Sequence, residues 1–468
     1  MSEKLINLEN YLSFHLGIDD TDSADLGGCT TYLGTKLFLK LHKTNPMIIL
    51  NDFPFLIRLN PNSPFRTKGN GSVIIKGLIH PSFISWFESI VTTFILSFAK
   101  LEDERTNPGI VIWYGSVSEN LYTFGKQALW DILELNEIDH FIYEKNVFSF
   151  YPKEKRGLIG CLAGIGLCEH LDDFTFELLQ YRFPPYTKER FENRDPVWKV
   201  NEDDFNLFNC VDFINKTIKI FPKGVDPVFC GIRGEKPSEL LQYWKAIQPQ
   251  PEMEFWMIFK TNQGTDAHLT NTPITHLNHP KFLPFRVVKM IGFVNSIPLT
   301  EEGGHVSFTF KTSLSDTTIK CYAYEPTKEF RKIVLELQKG DEIELSGNIR
   351  PADPIRSLQM VINVERIKIL KLLEKRVNKN PICPKCFKRM ESAGKNQPFR
   401  CKRCKTFTDK SNLDSLMIPR KLRENENYLP SIDAQRHLTR PLKRKEKNKF
   451  NDKKEISLIL TNIFNQLN

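Results

Sequence analysis

The stretch that decides the fold reads H-L-G-I-D-D-T-D-S-A-D-L-G-G-C-T-T-Y-L and runs from His15 to Leu33. The apolar run Phe14 to Ile18 predicts a buried strand. This strand leads directly into three carboxylates, Asp19, Asp20 and Asp22. Clustered carboxylate oxygens are the protein ligands that suit magnesium when it carries substrate phosphates. The sequence therefore predicts a metal site at the carboxyl end of the strand.

Two glycines, Gly27 and Gly28, separate these carboxylates from a helical pattern over Cys29 to Leu41. A helix N-terminus offers free N–H groups to an anion, and Thr30 and Thr31 place hydroxyl groups in the first turn. The alternative is an Asx-rich turn followed by a threonine helix cap. Three acids within four residues repel one another unless a cation compensates them. This repulsion favours a metal and phosphate site.

Length and composition limit the class of protein. A chain of 468 residues is too long for one core and predicts three or four domains. There is no signal-peptide pattern, and the apolar stretch Phe83 to Leu101 carries Glu88, so we interpret it as a core helix. Four of the ten cysteines form two C-x-x-C pairs and the other six are scattered. This pattern does not indicate a framework of disulfide bonds. We expect a cytoplasmic protein with no membrane partner.

Charge is unevenly distributed along the chain. Residues 371–450 contain 23 Lys and Arg against 8 Asp and Glu, a net charge of +15. Because the whole chain has a net charge of +9, the remainder carries −6. An acidic front and a strongly basic back indicate a polyanionic partner that is held mainly by the C-terminal third.

Alternating strands and helices predict two α/β or α+β units in the first 275 residues. The first, residues 1–153, contains the acidic cluster. The second, residues 154–275, has the size and alternation of a ferredoxin-like domain. For the second unit we expect strands over Phe205 to Ile214 and Pro227 to Cys230 and a helix over Ser238 to Ile247. The small residues of Gly157 to Gly166 indicate a helix that packs tightly against a sheet, with close packing against a nucleotide as the alternative.

Three segments in these units are candidates for ligand binding. The loop Asn60 to Gly71 contains Arg66 and Lys68, which suit a phosphate or a nucleotide, with an exposed hairpin turn as the alternative. The segment G-I-R-G-E, Gly231 to Glu235, follows an expected strand. The segment T-N-Q-G-T-D-A-H, Thr261 to His268, is rich in donors and acceptors and indicates a site or a domain contact, with a solvated linker as the alternative.

Residues 283–372 change in character. Five strand-like runs with a helical stretch, Lys328 to Leu337, between the third and the fourth have the order of an OB-fold barrel. We expect the strands at Arg286 to Asn295, His305 to Lys311, Ile319 to Tyr324, Glu342 to Ile349 and Met360 to Ile369. An OB-fold barrel presents one face to single-stranded nucleic acid. A purely structural β-domain is the alternative.

Residues 378–410 contain the two C-x-x-C pairs, with 14 residues between them. Four thiolates at this spacing close a tetrahedral zinc site, with redox or unliganded thiols as the alternative. The predicted ligands are Cys383, Cys386, Cys401 and Cys404. The remaining residues, 411–468, form a basic tail, which we expect to be either an ordered arm along RNA or a disordered polycation.

Taken in order, these motifs resemble the archaeal tRNA(Ile) 2-agmatinylcytidine synthetase family. The motifs G-I-D-D-T-D-S, L-I-R-L-N-P and K-G-N-G are similar to its kinase-like N-terminal domain. The motifs R-G-L-I-G, F-E-L-L-Q-Y-R, G-I-R-G-E and T-N-Q-G-T-D-A-H are similar to its ferredoxin-like domain, and R-H-L-T-R-P follows the zinc ribbon in family order. The resemblance implies a multidomain α+β fold with an α/β kinase-like N-terminal domain, a ferredoxin-like domain, an OB-fold β-barrel and a C-terminal zinc ribbon.

The resemblance also implies an ATP-dependent carbon–nitrogen ligase. Its reaction attaches agmatine to C2 of the wobble cytidine of the isoleucine tRNA with the CAU anticodon, which changes codon reading from AUG to AUA. ATP would phosphorylate the C2 oxygen of the base, the amine of agmatine would attack C2, and phosphate would leave. Overall, ATP would be consumed to AMP and phosphate.

The resemblance, combined with the chemistry of the residues, gives a set of candidate sites. The catalytic and magnesium-binding candidates are Asp19, Asp20 and Asp22, and Thr30 is similar to an autophosphorylated threonine of the family. The candidates for the ATP phosphates are Arg66, Lys68, Asn70 and Arg233. Agmatine is dicationic, and the candidates for its guanidinium are Glu235 and Asp266. Two other functions stay open, a magnesium-dependent nuclease and a non-enzymatic nucleic-acid-binding protein.

Overall fold

The structure is a computed structural model that describes residues 8–67, 69–188, 194–247, 253–313, 316–353, 359–392, 394, 397–409 and 414–467. Lys68 lies outside the described residues. The architecture is multidomain α+β, with a large sheet, a closed five-stranded barrel and a small C-terminal module.

A nine-stranded sheet forms the centre of the first 275 residues. Its strands are β1 (Leu12–Asp19), β2 (Ile48–Ile49), β3 (Phe55–Arg58), β4 (Gly71–Ile79), β5 (Gly109–Tyr114), β6 (Val147–Phe150), β7 (Thr175–Arg182), β10 (Val228–Gly234) and β11 (Met253–Thr261). The strand order is β10-β7-β11-β3-β4-β1-β5-β6, and β2 pairs with β4. A separate hairpin contains β8 (Val211–Asp212) and β9 (Thr217–Ile218).

The sheet is continuous across the predicted division at residue 153. Strands β11 and β3 pair in parallel, with Lys260 opposite Phe55 and Thr261 opposite Leu56. The two predicted units, residues 1–153 and 154–275, therefore share one sheet. Their boundary stays a prediction.

Helices cover both faces of the sheet. They are α1 (Thr30–Thr44), α2 (Ile84–Phe98), α3 (Glu119–Ala128), α4 (Asp139–Ile142), α5 (Arg156–Glu169), α6 (Asp195–Lys199), α7 (Pro237–Ile247) and α8 (Ala267–Thr270). Along β5, Ile110 and Ile112 face the core that contains α1 and α2, whereas Val111 and Trp113 face the core that contains α3 and α5. Burial of both faces explains why these strands are apolar at successive positions.

Helix α5 packs unusually close to the sheet because its sequence is rich in small residues. A Cβ atom added to Gly157 would lie 2.5 Å from the Gly109 nitrogen, and one added to Gly17 of β1 would lie 2.9 Å from the Cys161 Cβ. The tight helix expected over Gly157 to Gly166 is confirmed as a packing feature.

Helix α2 has one buried side. With the preceding turn it forms the helical stretch Pro81–Phe98, which among the described residues has the length and composition of a membrane span. Phe87, Val91 and Ile95 pack into the core of the sheet. A helix that packs on a core passes the same test of length and composition.

Two local expectations in the second unit are wrong. Residues 205–214 do not form one strand, because Asn206 and Asn209 have φ values of 49° and 59°, and left-handed residues interrupt a ladder. The segment G-I-R-G-E does not follow a strand, since β10 extends to Gly234 and pairs with β7.

The barrel contains β12 (Val287–Val294), β14 (Val306–Thr312), β15 (Thr318–Ala323), β16 (Glu342–Arg350) and β17 (Val361–Lys371), with the short strand β13 (Leu299–Thr300) at its rim. It closes through β12–β14, β14–β15, β15–β17, β17–β16 and β16–β12 pairings, of which β15–β17 is parallel. Helix α9 (Glu329–Leu335) lies between the third and fourth barrel strands. The five expected strands and the helix between them are all present.

Beyond the barrel, β18 (Arg376–Lys379) pairs with β22 (Asp414–Met417). Between them, β19 (Glu391–Ser392), β20 (Phe399–Arg400) and β21 (Phe407–Thr408) form a small antiparallel sheet beside the four cysteines. Strand β23 (Asn427–Tyr428) then pairs with β17 of the barrel.

The end of the chain returns to the large sheet. Residues 436–450, which we call the strap, cross the loop after β11, where Gly264 and Asp266 donate backbone hydrogen bonds to the carbonyls of His437 and Leu438. Helix α10 (Lys453–Phe464) follows and buries Ile459, Leu460 and Ile463. The expectation of a disordered polycation is wrong for the strap, because several of its basic side chains form ion pairs within the protein. The alternative, an ordered arm along RNA, stays a prediction.

Candidate active site

Three carboxylates at the end of β1, which we call the cavity acids, are Asp19, Asp20 and Asp22. Asp20 adopts a left-handed backbone conformation with φ 53°, and its Oδ2 accepts a hydrogen bond of 2.9 Å from the Asn107 N–H. Asp22 Oδ1 accepts a hydrogen bond of 2.8 Å from the Thr67 hydroxyl. Among the described residues, neither Asp19 nor Asp20 forms an ion pair with a lysine or arginine.

The electrostatic cost of this cluster appears in its pKa values. Burial, followed by the charge of Asp20, raises the pKa of Asp19 to about 8. Burial also raises the pKa of Asp20 to about 7, and the charge of Asp22 adds to the effect. Desolvation and like charges both disfavour the ionised carboxylates. The cluster therefore suits a bound cation.

Gly160 of α5 makes room for the first of these carboxylates. A Cβ atom at Gly160 would lie only 1.7 Å from Asp19 Oδ2. No side chain larger than hydrogen fits there unless the carboxylate moves. Close packing of α5 thus fixes the orientation of Asp19.

The N-terminus of α1 lies beside the cavity acids. Its N-cap residue is Cys29, whose side chain makes no capping hydrogen bond, so the first N–H groups of the helix are not satisfied in that way. The Thr30 hydroxyl lies 3.0 Å from the Thr21 hydroxyl, and the Thr31 hydroxyl lies 3.0 Å from Cys29 Sγ. Both threonines line the same cavity as the carboxylates.

One part of the wall of this cavity is rich in arginine. Arg233 of β10 donates through Nε to Glu177 Oε1 at 2.9 Å, and its Nη2 lies 3.0 Å from His437 Nδ1 of the strap. Arg58 and Arg66 lie on the same wall. Burial lowers the pKa of the Arg58 guanidinium, and the charge of Arg233 contributes in the same direction. This wall is preformed for an anion.

The cavity has a volume of about 380 Å³, within the range of small-molecule sites. Its wall combines residues from the end of β1, the loop after β3, the strands β7 and β10, and the strap. It therefore places an acidic end and an arginine-rich end within one enclosure.

The candidate residues from the sequence divide into two groups. The cavity is lined by Asp19, Asp20, Asp22, Thr30, Arg66, Asn70 and Arg233. Asn70 also donates through Nδ2 to the carbonyl oxygen of Asn60 at 2.9 Å. Glu235 and Asp266, the candidates for agmatine, do not line it.

Both of these carboxylates are bound to arginines of the chain itself. Together with Asp173 we call them the strap acids. Arg444 contacts Glu235 and makes two hydrogen bonds of 2.6 Å to Asp173. Arg366 forms an ion pair of 2.5 Å with Asp266. Guanidinium groups do occupy these carboxylates, but they come from the protein.

Among the cavity residues that escaped the sequence interpretation are Arg58, Glu177 and His437. Each belongs to a motif that carried the resemblance, L-I-R-L-N-P, F-E-L-L-Q-Y-R and R-H-L-T-R-P. A polar residue within an otherwise apolar strand motif is the signal that could have identified Arg58 and Glu177.

The four cysteines form a second, separate site. The Sγ atoms of Cys383, Cys386, Cys401 and Cys404 lie within 4.8 Å of one another. The Cys383–Cys404 and Cys386–Cys401 Sγ distances are 3.6 and 3.4 Å. Thiolates bound to one zinc at about 2.3 Å require sulfur separations of this size. The residues therefore fit a structural zinc ion.

Comparison with known proteins identifies the relatives of the chain. Family models described as the TiaS TCKD domain, the TiaS FLD domain and the TiaS C-terminal zinc ribbon domain match residues 15–154, 155–268 and 380–422. The isoleucine-tRNA 2-agmatinylcytidine synthetase TiaS of Archaeoglobus fulgidus is 36% identical over 429 residues, which cover 91% of this chain and 96% of that protein.

Solved structures are similar over nearly the whole length. The crystal structure of apo TiaS, an isoleucine-tRNA agmatidine synthetase, has 35% identity and a TM-score of 0.78, covering 93% of this chain and 98% of that chain. The crystal structure of a complex of TiaS with its isoleucine tRNA, AMPCPP and agmatine has 32% identity and a TM-score of 0.77, covering 94% and 99%.

Proposed function

Because the chain belongs to the TiaS family of isoleucine-tRNA 2-agmatinylcytidine synthetases, we propose that the cavity between the cavity acids and the arginine-rich wall is its active site. The chain is an ATP-dependent enzyme that attaches agmatine to an isoleucine tRNA. The observation that carries the assignment of the site is one enclosure of ligand size that contains a helix N-terminus, several arginines and the carboxylates of Asp19 and Asp20, which form no ion pair with a lysine or arginine among the described residues. Phosphoryl transfer needs mainly positioning and charge neutralisation, and these groups supply both.

At the acidic end we propose a magnesium site. Asp19, Asp20 and Asp22 present only oxygen donors, and the raised pKa values of Asp19 and Asp20 support a site whose counter-charge comes from a ligand. Magnesium, when bound there, would neutralise the phosphates of ATP. Gly160 keeps the Asp19 carboxylate in place, and Asn107 orients that of Asp20.

At the other end, we propose that Arg66 and Arg233 bind the phosphates of ATP, with Asn70 in the adjoining loop. Lys68, in the same loop, is also proposed to bind the phosphates of ATP, on the basis of the sequence alone. Arginine presents a planar fork of donors that matches phosphate oxygens. The fixed geometry of Arg233 makes it the stronger candidate of the two arginines.

For the base, the resemblance supports phosphorylation of the C2 oxygen of the wobble cytidine. The agmatine amine would then form the C2–N bond while the C2–O bond breaks and phosphate leaves. The dicationic agmatine needs carboxylates, and we propose Asp226, which lines the cavity beyond the cavity acids. Glu235 and Asp266 are less suitable because arginines already occupy them.

The finer fold names are also proposals. The barrel has five strands in the closed order that an OB fold requires, with its helix after the third strand, and this supports that name. For the kinase-like and ferredoxin-like segments the support is the sequence resemblance. We propose that the boundaries follow residues 1–153, 154–275, 283–372, 378–410 and 411–468, and that the reaction takes place in the cytoplasm.

The central experiment incubates the protein with the CAU-anticodon isoleucine tRNA, ATP and agmatine and measures nucleoside masses after digestion. We expect the agmatine adduct of cytidine only when all three are present. Fragmented tRNA would instead indicate the nuclease function, and bound but unchanged tRNA would indicate a binding protein.

Thr30 is tested by Thr30→Val, with Thr31→Val as the matched control in the same helix turn. Valine keeps the shape but removes the hydroxyl. We propose that only Thr30→Val abolishes any phosphorylated enzyme species, measured by intact mass after incubation with ATP. Phosphorylation that persists in Thr30→Val and disappears in Thr31→Val would transfer the role to Thr31.

A further inference from the structure

His437 is the strap residue that reaches the active-site cavity. Its Nδ1 lies 3.0 Å from Arg233 Nη2. A guanidinium group has only hydrogen-bond donors, so the ring nitrogen must be the acceptor at this contact. The ring proton is therefore on Nε2, and the imidazole is neutral when the contact is made.

The surroundings keep the ring in this form. Burial lowers the pKa of His437 well below its ordinary value, and the charges of Arg58, Arg233, Arg66 and Arg436 act in the same direction. An additional positive charge on the imidazole, beside four guanidinium groups, is unfavourable. His437 therefore stays an acceptor at neutral pH.

The other side of Arg233 is also fixed. Its Nε donates to Glu177 Oε1 at 2.9 Å, and Glu177 in turn accepts a hydrogen bond from the Gln263 side chain at 2.5 Å. Among the described residues, Nη1 of Arg233 has no hydrogen-bond partner. Two contacts thus hold two of the three guanidinium nitrogens and leave the third, Nη1, for a ligand.

The backbone of the strap is equally well positioned. Gly264 N–H donates to the His437 carbonyl at 2.9 Å, and Asp266 N–H donates to the Leu438 carbonyl at 2.7 Å. Asp266 Oδ1 then accepts from the Arg440 N–H at 2.8 Å. The polar loop after β11 therefore places the imidazole against Arg233.

We propose that His437 is a positioning residue for ATP binding, which holds Arg233 with its free edge toward the phosphates. This inference rests on the proposed role of Arg233 in binding ATP. It gives the T-N-Q-G-T-D-A-H loop a function as the support of the strap rather than as a ligand for agmatine.

The test compares His437→Leu, His437→Asn, Arg233→Lys and the His437→Leu/Arg233→Lys double variant. The measurements are kcat and the KM for ATP and for tRNA. Leucine removes the acceptor, whereas asparagine restores an acceptor oxygen near the position of Nδ1. Leu442→Ala, an exposed position on the same strap, is the control.

We expect His437→Leu and Arg233→Lys each to raise the KM for ATP about tenfold, which corresponds to about 1.4 kcal/mol. His437→Asn should recover most of the loss, the KM for tRNA should change little, and the double variant should be no worse than the worse single variant. Such non-additivity supports the inference, because a fold defect would not be rescued by asparagine.

Two results would overturn the inference in distinguishable ways. If Arg233→Lys raises the KM for ATP but His437→Leu does not, or if their effects multiply, His437 does not position Arg233 and the proposed function stands. If Arg233→Lys leaves the KM for ATP unchanged, the proposed phosphate role of Arg233 fails, and the inference about His437 fails with it.

Discussion

The cavity acids and the strap acids are two groups of three carboxylates whose charges are satisfied in opposite ways. Each strap acid is bound to an arginine of the same chain. Of the cavity acids, Asp19 and Asp20 have no such partner among the described residues, and their pKa values are raised. The protein therefore supplies the counter-charge for the strap acids itself, whereas for Asp19 and Asp20 we propose that a ligand supplies it.

This difference bears on the agmatine prediction, which named Glu235 and Asp266 as candidates and which stays a prediction. From sequence, an acidic residue in a polar loop suits a guanidinium ligand. Asp266 and Glu235 do bind guanidinium groups, but those of Arg366 and Arg444. Local sequence cannot distinguish the two cases, because the internal arginines are distant in the chain.

The largest effect on stability is expected where Arg444 is replaced. Its side chain is 3% exposed and its partner Asp173 is 7% exposed. Arg444→Gln removes the buried cation that contacts both Asp173 and Glu235 and leaves the buried Asp173 with only the more exposed Arg440, which costs about 3–5 kcal/mol. Denaturant unfolding measures the loss. Arg440→Gln, which removes a more exposed partner of Asp173, should cost much less, and equal losses would contradict the central place of Arg444.

This loss should also depend on pH. Burial raises the pKa of Asp173, but hydrogen bonds from Arg444 outweigh it and hold the pKa below the ordinary 3.8. A carboxylate with a depressed folded-state pKa stabilises the fold above its unfolded pKa, and that contribution disappears as the pH falls through the folded pKa. The difference between wild type and Arg444→Gln should therefore be full at pH 7 and shrink below about pH 4. A pH-independent difference would show that the effect is packing alone.

The cavity acids should show the reverse combination of effects. Asp20→Asn keeps an oxygen that can accept the Asn107 N–H bond, but it removes one charge from the cluster. We expect agmatine incorporation to fall about 100-fold or more, while the free energy of unfolding stays the same or rises because like-charge repulsion is relieved. Binding of tRNA should persist. An Asp20→Asn variant that keeps its activity but loses stability would show that the cavity acids, like the strap acids, serve mainly the fold.

The features that local sequence could reveal were those with local causes. The strand, carboxylate and helix order of the opening stretch is confirmed, and so are the five barrel strands, because alternation and helical period are visible within about ten residues. The spacing of the cysteine pairs was also sufficient to predict the four-cysteine site, since Cys383 and Cys404 are only 21 positions apart in the chain.

The remaining features depend on distant pairings that no local pattern encodes. Arg233 and His437 are 204 residues apart, and Arg444 and Asp173 are 271 residues apart. The parallel pairing of β3 with β11 brings the two predicted units into one sheet, and this pairing creates the arginine-rich wall. A run of basic residues at the end of the chain gave no sign that its arginines would be buried against acids of the protein.

Gly160→Ala tests the role of the cavity acids without changing any charge. Its Cβ would lie 1.7 Å from Asp19 Oδ2 and must displace that carboxylate, so we expect agmatine incorporation to fall about 10- to 100-fold. Gly164→Ala is the matched control in the same helix, where the added Cβ meets Ser72 Oγ at 2.3 Å instead. Both variants should lose stability, measured by thermal unfolding, but only Gly160→Ala should lose activity out of proportion. Equal activity losses would indicate a general defect of α5.

The smallest effect is expected at the zinc ribbon, which lies apart from both groups of carboxylates. Cys383 and Cys404 are 3.6 Å apart at Sγ, and four thiolates leave a zinc ion no open position for chemistry. Cys383→Ser should therefore lower the metal content, measured by elemental analysis, and weaken tRNA binding about tenfold, or about 1.4 kcal/mol. Phosphorylation of the enzyme by ATP in the absence of tRNA should be nearly unchanged, because no described residue of the ribbon lines the cavity. Cys404→Ser should reproduce these results, since either substitution removes one ligand of the same ion. Full metal content in both variants, or loss of the tRNA-independent reaction in a folded variant, would show that the cysteines serve the active site directly.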